Sequence, residues 1–381
     1  MQKNNLGLIT TLLHLSIITS YKLLIHTIYN YYKMKIKTKL FTLSMIFLTS
    51  VLYAQEVEKN PLQISGSVDT YYKYDFSGFE SEAGASNIST SFADQQNSLS
   101  IGMIDIVLSQ ELGKASFVGE VAFGPRNAGS AGPSGNSGVM EPHIQNLYVS
   151  YMLTPELAIT AGYMGTFVGY EVISPTGNFN YSTSYLFTNG PFQNAGVKLD
   201  YTFSDRVSLM VGIFNDWNLY NDSNGMSDFG AQLYLVPVNG WDVYINMITG
   251  SPSGTELDLT TGYQITDDFY LGLNAADYSA PDDDGGFSGA ALYAQYALTD
   301  NFSLGFRGES FSTKDYDDEV GSTVEGSTVN AFTISGNLTA GPLTFIPEVR
   351  FDNGENEVFV NNDLMPTKTA SQLLFALVYA F

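Results

Sequence analysis

From residue 55 to its end, the chain alternates apolar and polar residues with a period of two, in segments of about ten residues. Val207, Leu209, Val211 and Ile213 fall on one face, with Ser208, Gly212 and Asp216 on the other. Ala195, Val197, Leu199, Tyr201 and Phe203 alternate with Gly196, Lys198, Asp200 and Thr202. Leu343, Phe345, Val349 and Phe351 alternate with Thr344, Glu348 and Arg350. This is the pattern of strands with one apolar and one polar face.

The connections between these segments also alternate. Short ones fall at Gly113-Lys114, Thr154-Pro155-Glu156, Ser204-Asp205-Arg206, Asn239-Gly240, Thr266-Asp267-Asp268, Thr299-Asp300-Asn301 and Gly341-Pro342. Between them lie longer polar stretches at 77–96, 125–142, 166–191, 217–227, 251–255, 279–287, 312–327 and 353–367. Seven short and eight long connections divide the chain into about sixteen strands. An even number of antiparallel strands, with short turns at one end and long loops at the other, predicts an all-β, up-and-down transmembrane β-barrel. Lipid tolerates no unpaired strand edge, which favours closure over an open sheet. A propeller would need four strands per blade and lacks the long/short alternation.

The first 54 residues are of a different kind. They hold Lys3, Lys22, Lys33, Lys35, Lys37 and Lys39 and no acid. Residues 34–54 run from Met34 through three lysines and an apolar stretch, Leu40 to Leu52, to the small Ala54. That is the three-part pattern of a signal peptide, expected as a helix, with cleavage before Gln55. Met34 reads as the start of translation, and 1–33 as an N-terminal extension. The barrel is then expected over 55–381.

Composition narrows the chemistry. With no cysteine there is no disulfide, thiolate metal site or cysteine nucleophile. Only His143 lies beyond the N-terminal segment, too few histidines for a metal centre, and it reads as a polar loop residue rather than half of a Ser–His pair. A net charge of −23 excludes a basic footprint for nucleic acid. The acidic loop residues Asp282, Asp283, Asp284, Asp315, Asp317, Asp318 and Glu319 match no fixed calcium loop and read as a solvated face. Neither an enzyme nor a cofactor protein is expected.

At the C-terminus, Leu373, Phe375, Leu377, Tyr379 and Phe381 alternate with Gln372, Leu374, Ala376, Val378 and Ala380. Phe375, Tyr379 and a final Phe381 resemble the signal by which barrel-assembly machinery recognises outer-membrane strands. Residues 144–216 resemble the OmpL-like family of β-barrel porins of Gram-negative outer membranes, in the manner of members from the Bacteroidota. The likeness is strongest in Gly169-Tyr170-Glu171, Asn178-Phe179-Asn180-Tyr181-Ser182 and Gly190-Pro191-Phe192. The resemblance implies an outer-membrane pore in contact with lipid, and carries no individual residue roles.

A sixteen-stranded barrel leaves an aqueous channel lined by the polar phase of each strand. That phase holds Asp69, Lys73, Asp75, Asp105, Glu120, Lys198, Asp200, Asp216, Asp228, Asp242, Asp258, Arg307, Glu309, Glu348 and Arg350. The excess of acids predicts a weak cation preference, screened if the pore is wide. The third long connection, 166–191, is unusually aromatic for a loop, with Phe167, Tyr170, Phe179, Tyr181, Tyr185 and Phe187 beside Glu171. It is expected to fold inward as a constriction; packing on the rim or a hidden strand pair are the alternatives. The expected function is passive diffusion of small hydrophilic solutes, with a homo-oligomer among the expected partners. The alternative is a non-conducting structural or adhesive barrel acting through its long loops.

Overall fold

A computed structural model describes residues 60–381 apart from 80, 82–83, 89, 128–137, 140–142 and 319–320. The expected signal peptide and extension at 1–54 and the acid Glu319 lie outside the described residues.

Sixteen antiparallel strands form one closed barrel. The first eight are β1 (Gln63–Asp75), β2 (Leu99–Leu112), β3 (Ala115–Phe123), β4 (Ile144–Met152), β5 (Leu157–Gly165), β6 (Gln193–Ser204), β7 (Val207–Phe214) and β8 (Asp228–Leu235). The second eight are β9 (Trp241–Gly250), β10 (Gly254–Gln264), β11 (Phe269–Ser279), β12 (Gly286–Thr299), β13 (Phe302–Thr313), β14 (Thr328–Ala340), β15 (Leu343–Gly354) and β16 (Thr369–Ala380). Each strand pairs with its chain neighbours. β1 and β16 close the ring, with Ser67 opposite Ala380 and Asp75 opposite Gln372. Beyond that register, Gly66 and Phe381 exchange both backbone hydrogen bonds at 3.0 Å. No strand edge is left open, as a lipid-spanning sheet requires.

The strand number and the long/short rhythm are those the sequence predicts, with one difference in the rhythm. The connection expected as long at 251–255 is only Ser251-Pro252-Ser253, because β9 and β10 run on to Gly250 and Gly254. Two-residue strand pairs stiffen the long-loop rim: Tyr316–Asp317 with Thr323–Val324, Phe359–Val360 with Pro366–Thr367, and Gly138–Val139 with Asn221–Asp222. There too, Asp317 N–H donates to the Asp284 carboxylate at 2.7 Å, tying together two of the acidic loops.

Period two sorts the side chains. Outward positions are exposed and apolar: Leu199, Tyr201 and Phe203 on β6, Leu304 and Phe306 on β13, Phe332 and Ile334 on β14, and Phe375, Leu377 and Tyr379 on β16. Such a belt is stable only against hydrocarbon. Inward positions are buried and, unlike an open tube, much of the interior is filled. Toward the long-loop rim Ile88, Leu186, Trp217, Ile248, Phe287, Phe311 and Phe359 form one apolar cluster contributed by four loops and the wall. A second cluster joins the inward Leu374, Ala376 and Val378 of β16 to Tyr71, Ala93, Tyr181 and Ile346.

Candidate functional site

The loop between β5 and β6, residues 166–192, runs inside the barrel. It contains a 3-10 turn at Pro175–Gly177 and one short helix, α1 (Tyr185–Asn189), rather than a hidden strand pair. The Ser184 hydroxyl caps α1 by accepting from Phe187 N–H. Three aromatic rings of the loop fit where the wall has no side chain. A Cβ on Gly230 of β8 would lie 2.6 Å from the Phe167 ring, and one on Gly272 of β11 would lie 2.5 Å from the Tyr170 hydroxyl. A Cβ on Gly305 of β13 would collide with the Phe179 ring. The loop's aromatic content is explained: its rings are seated in glycine notches of the inner wall. The far face of Tyr170 stacks on Tyr293 at 4.1 Å between centroids.

Polar bonds hold the rest of the loop. Glu348 on β15 accepts from the backbone N–H of Tyr181 (2.9 Å) and Ser182 (3.2 Å). Glu309 on β13 accepts from Tyr185 (3.0 Å) and Leu186 (2.8 Å). Each buried carboxylate thus takes two consecutive backbone donors, a charge-assisted arrangement. Arg307 pairs with Glu171 at 2.6 Å and donates to the carbonyls of Ser182 and Thr183. Arg350 donates to Thr183 O at 2.7 Å and pairs with Asp352 at 2.8 Å. Both guanidinium groups are fully buried, and pairing is what makes such burial tolerable. Tyr181 donates its hydroxyl to Asp69, and Tyr185 donates to Asp352 at 2.7 Å. Burial pushes both phenols well above their ordinary range, so they stay protonated and act as donors. Phe187 packs edge-on against Phe192 at 4.9 Å.

The inner-wall residues named from sequence therefore differ in what they face. Asp69, Lys73, Arg307, Glu309, Glu348 and Arg350 are buried beside the loop or against it. Asp69 also accepts from Met103 N–H at 2.8 Å and lies 3.8 Å from Arg126. Asp105 is taken up by a strand-to-strand bond from Ser67 N–H at 2.7 Å. Asp258 accepts from Asn246 and Asn274 and, at 3.2 Å, from the loop's Gly169 N–H. Facing open space are Glu120, bonded by Asn146 at 2.5 Å, and Asp242, bonded by the Tyr234 hydroxyl at 2.5 Å. Lys198 and Asp200 form a half-exposed pair at 3.1 Å along one strand. Asp75 accepts from Ser77 and Asn87 N–H, and Asp228 begins β8, fully buried. Asp216 is not on a strand but in the loop after β7, where Ser227 donates to it at 2.8 Å. His143 stacks on Phe123 at 5.0 Å.

Arg126 and Asp352 were not singled out from sequence. Arg126 donates to the carbonyls of Ile173 and Tyr181 and its guanidinium lies 4.6 Å over the Tyr181 ring. Its only sequence signal is a lone arginine in a Gly/Ser-rich stretch. Asp352 continues the inward phase of Glu348 and Arg350, and parity alone would have placed it. Phe375, Tyr379 and Phe381 face outward and are exposed.

Two cavities flank the loop. One, of about 270 Å³, lies between Glu120, Asn146, Gln193 and the loop residues Glu171 and Ser174. The other, of about 630 Å³, opens toward the short-turn rim beside β8–β12.

Solved structures with the same fold include the outer membrane channel DcaP of Acinetobacter baumannii. It is 13% identical with a TM-score of 0.57, over 84% of this chain and 97% of that one. OmpT of Vibrio cholerae, an outer membrane protein described in a trimer form, is 12% identical with a TM-score of 0.53, over 84% and 99%. OprB of Pseudomonas putida is 10% identical with a TM-score of 0.52, over 84% and 94%. No curated protein matches the sequence. The model of the family described as "Putative beta-barrel porin-2, OmpL-like" matches residues 61–381. With a closed sixteen-stranded barrel and a lipid-facing apolar belt, the chain belongs to this family of Gram-negative outer-membrane porins.

Proposed function

We propose that the protein is a passive diffusion channel for small hydrophilic solutes, narrowed by the 166–192 loop and weakly selective for cations. The observation that carries this reading is the loop itself, seated inside the barrel with a cavity on each side. Glu120 and Asp242 face those cavities, with Glu171 neutralised by Arg307, and Lys198 is neutralised locally by Asp200. That balance supports cation preference where the path is narrower than a screening length of about 8 Å at physiological salt. The trimer form of the OmpT neighbour supports a homo-oligomer. Phe375, Tyr379 and Phe381 fit recognition by barrel-assembly machinery, and the segment before Gln55 fits export.

A second reading is a non-conducting barrel that works through its loops. It is favoured by the apolar cluster of Ile88, Trp217, Phe311 and Phe359, which fills the long-loop side of the lumen. Planar-bilayer recording of the refolded protein separates the two. Stable single-channel steps support the channel; their absence across independent preparations overturns it in favour of the closed barrel. Deleting 174–186 should raise conductance and lower cation preference together, and unchanged conductance would remove the loop from the solute path.

A further inference from the structure

The larger cavity has a composition that selects a chemistry. On the loop side it is bounded by the rings of Phe167, Tyr170 and Phe179, and on the wall side by Tyr244 and Tyr270. Between the rings stand uncharged hydrogen-bonding groups: Gln232, Gln264, Gln295, Thr260 and Thr261. Among the described residues Asp242 is the one charged group that lines the space, with no lysine or arginine. The cavity's volume, about 630 Å³, lies in the range of small-molecule sites, roughly 300–1,000 Å³.

The rings are held in place. Tyr244 stacks on Tyr234 at 4.8 Å, and Tyr234 in turn donates to Asp242 at 2.5 Å. Tyr170 donates to the Tyr270 hydroxyl at 3.0 Å, which leaves Tyr270 its own proton to offer. Gln232 is oriented by donating to Phe167 O (3.0 Å) and Asn246 Oδ1 (2.8 Å). Fixed aromatic faces present flat apolar area at low entropic cost, and the amides, hydroxyls and single carboxylate supply donors and acceptors around them. A solute matching both needs apolar C–H faces and a rim of hydroxyls, with no negative charge.

We propose that this cavity is a binding subsite for a neutral mono- or disaccharide on its way through the lumen. Sugar rings lay their C–H faces on Tyr244, Tyr270 and Tyr170, while their hydroxyls donate to Asp242 and Gln232 Oε1 and exchange hydrogen bonds with Gln295. The absence of a base in the lining, together with Asp242, disfavours anionic solutes of the same shape. The proposal deepens the channel reading and rests on it only for how the sugar arrives; binding itself is independent of conduction.

The test uses the full mature chain refolded in detergent and compares maltose with maltobionate, which has a similar skeleton plus one carboxylate. Isothermal titration calorimetry should detect maltose and show maltobionate binding at least about tenfold more weakly. Tyr244→Ala, which removes a ring of the wall, should weaken maltose binding about tenfold, and Gln295→Ala should weaken it as well. Asn146→Ala, at the other cavity, should bind maltose as the parent does. In planar bilayers maltose should interrupt the current in a concentration-dependent way. No maltose binding to the folded parent, equal binding of maltobionate, or unchanged binding in both cavity variants would each overturn the proposal. Channel steps without maltose binding remove the subsite and leave the channel; maltose binding without channel steps does the reverse.

Discussion

Replacing Glu309 and Glu348 together with alanine should release the middle of the inward loop. The two carboxylates accept four backbone N–H bonds, from Tyr181, Ser182, Tyr185 and Leu186, at 2.8–3.2 Å. Hydrogen bonds to a charged group contribute roughly 1.5–3 kcal/mol each, so even the lower figure gives about 6 kcal/mol. Both carboxylates are nearly fully buried, so solvent does little to screen them. A loss of that size is enough to carry a two-state equilibrium from mostly seated to mostly displaced, a change that takes about 5.5 kcal/mol. Arg307 and Arg350 would meanwhile lose nearby carboxylates and add to the drive toward rearrangement. The barrel wall should survive, because neither residue's backbone ladder is altered. The assay is single-channel conductance in planar bilayers, with heat-dependent gel mobility as the check that the barrel has closed. Conductance should rise and vary more from channel to channel. A closed barrel with the parent's conductance and noise would refute the idea that these bonds hold a constriction.

Gly305→Leu should have a similar effect through sterics, since its side chain would occupy the notch now filled by the Phe179 ring; limited proteolysis within 166–192 would report the displaced loop. Phe381→Asp should block assembly while leaving export intact, because it puts a charge on the outward, exposed face beside the β1–β16 closure; normal amounts of folded barrel in the outer-membrane fraction would count against it. The mature protein should begin near Gln55, and mass spectrometry that finds peptides from before Lys39 in that fraction would refute the signal-peptide reading.

What could be read from sequence follows the range of the interactions. Strand number and order are legible because period two and turn composition are local properties. The same is true of the aromatic excess in 166–191, which marks a loop that is not free in water. Parity shows which face a residue takes but not what occupies that face. By parity Asp69, Glu309 and Glu348 should line water, yet they bond a loop far away in sequence; Glu348 and Tyr181 are 167 residues apart. The inward Leu374, Ala376 and Val378 of β16 look out of place against a polar channel until Tyr71 and Tyr181 are seen to cover them. Arg126 illustrates the same limit, since nothing near it in the chain announces the Tyr181 ring beneath it.

The position of the loop's partners along the chain sets an order of events. The loop ends at residue 192, but the paired carboxylates and guanidinium groups that hold its middle, Arg307, Glu309, Glu348 and Arg350, belong to β13 and β15, near the end of the chain. Strands arriving in sequence would therefore complete most of the wall before those partners exist. During that interval the loop can use Asp69, Arg126, Asp258 and the notches of β8 and β11, but its middle lacks the four backbone bonds to Glu309 and Glu348. Narrowing is then among the last steps of maturation, coincident with the pairing of β1 to β16. A barrel stalled just short of closure would leak more than a finished one, which makes permeability itself a reporter of incomplete assembly.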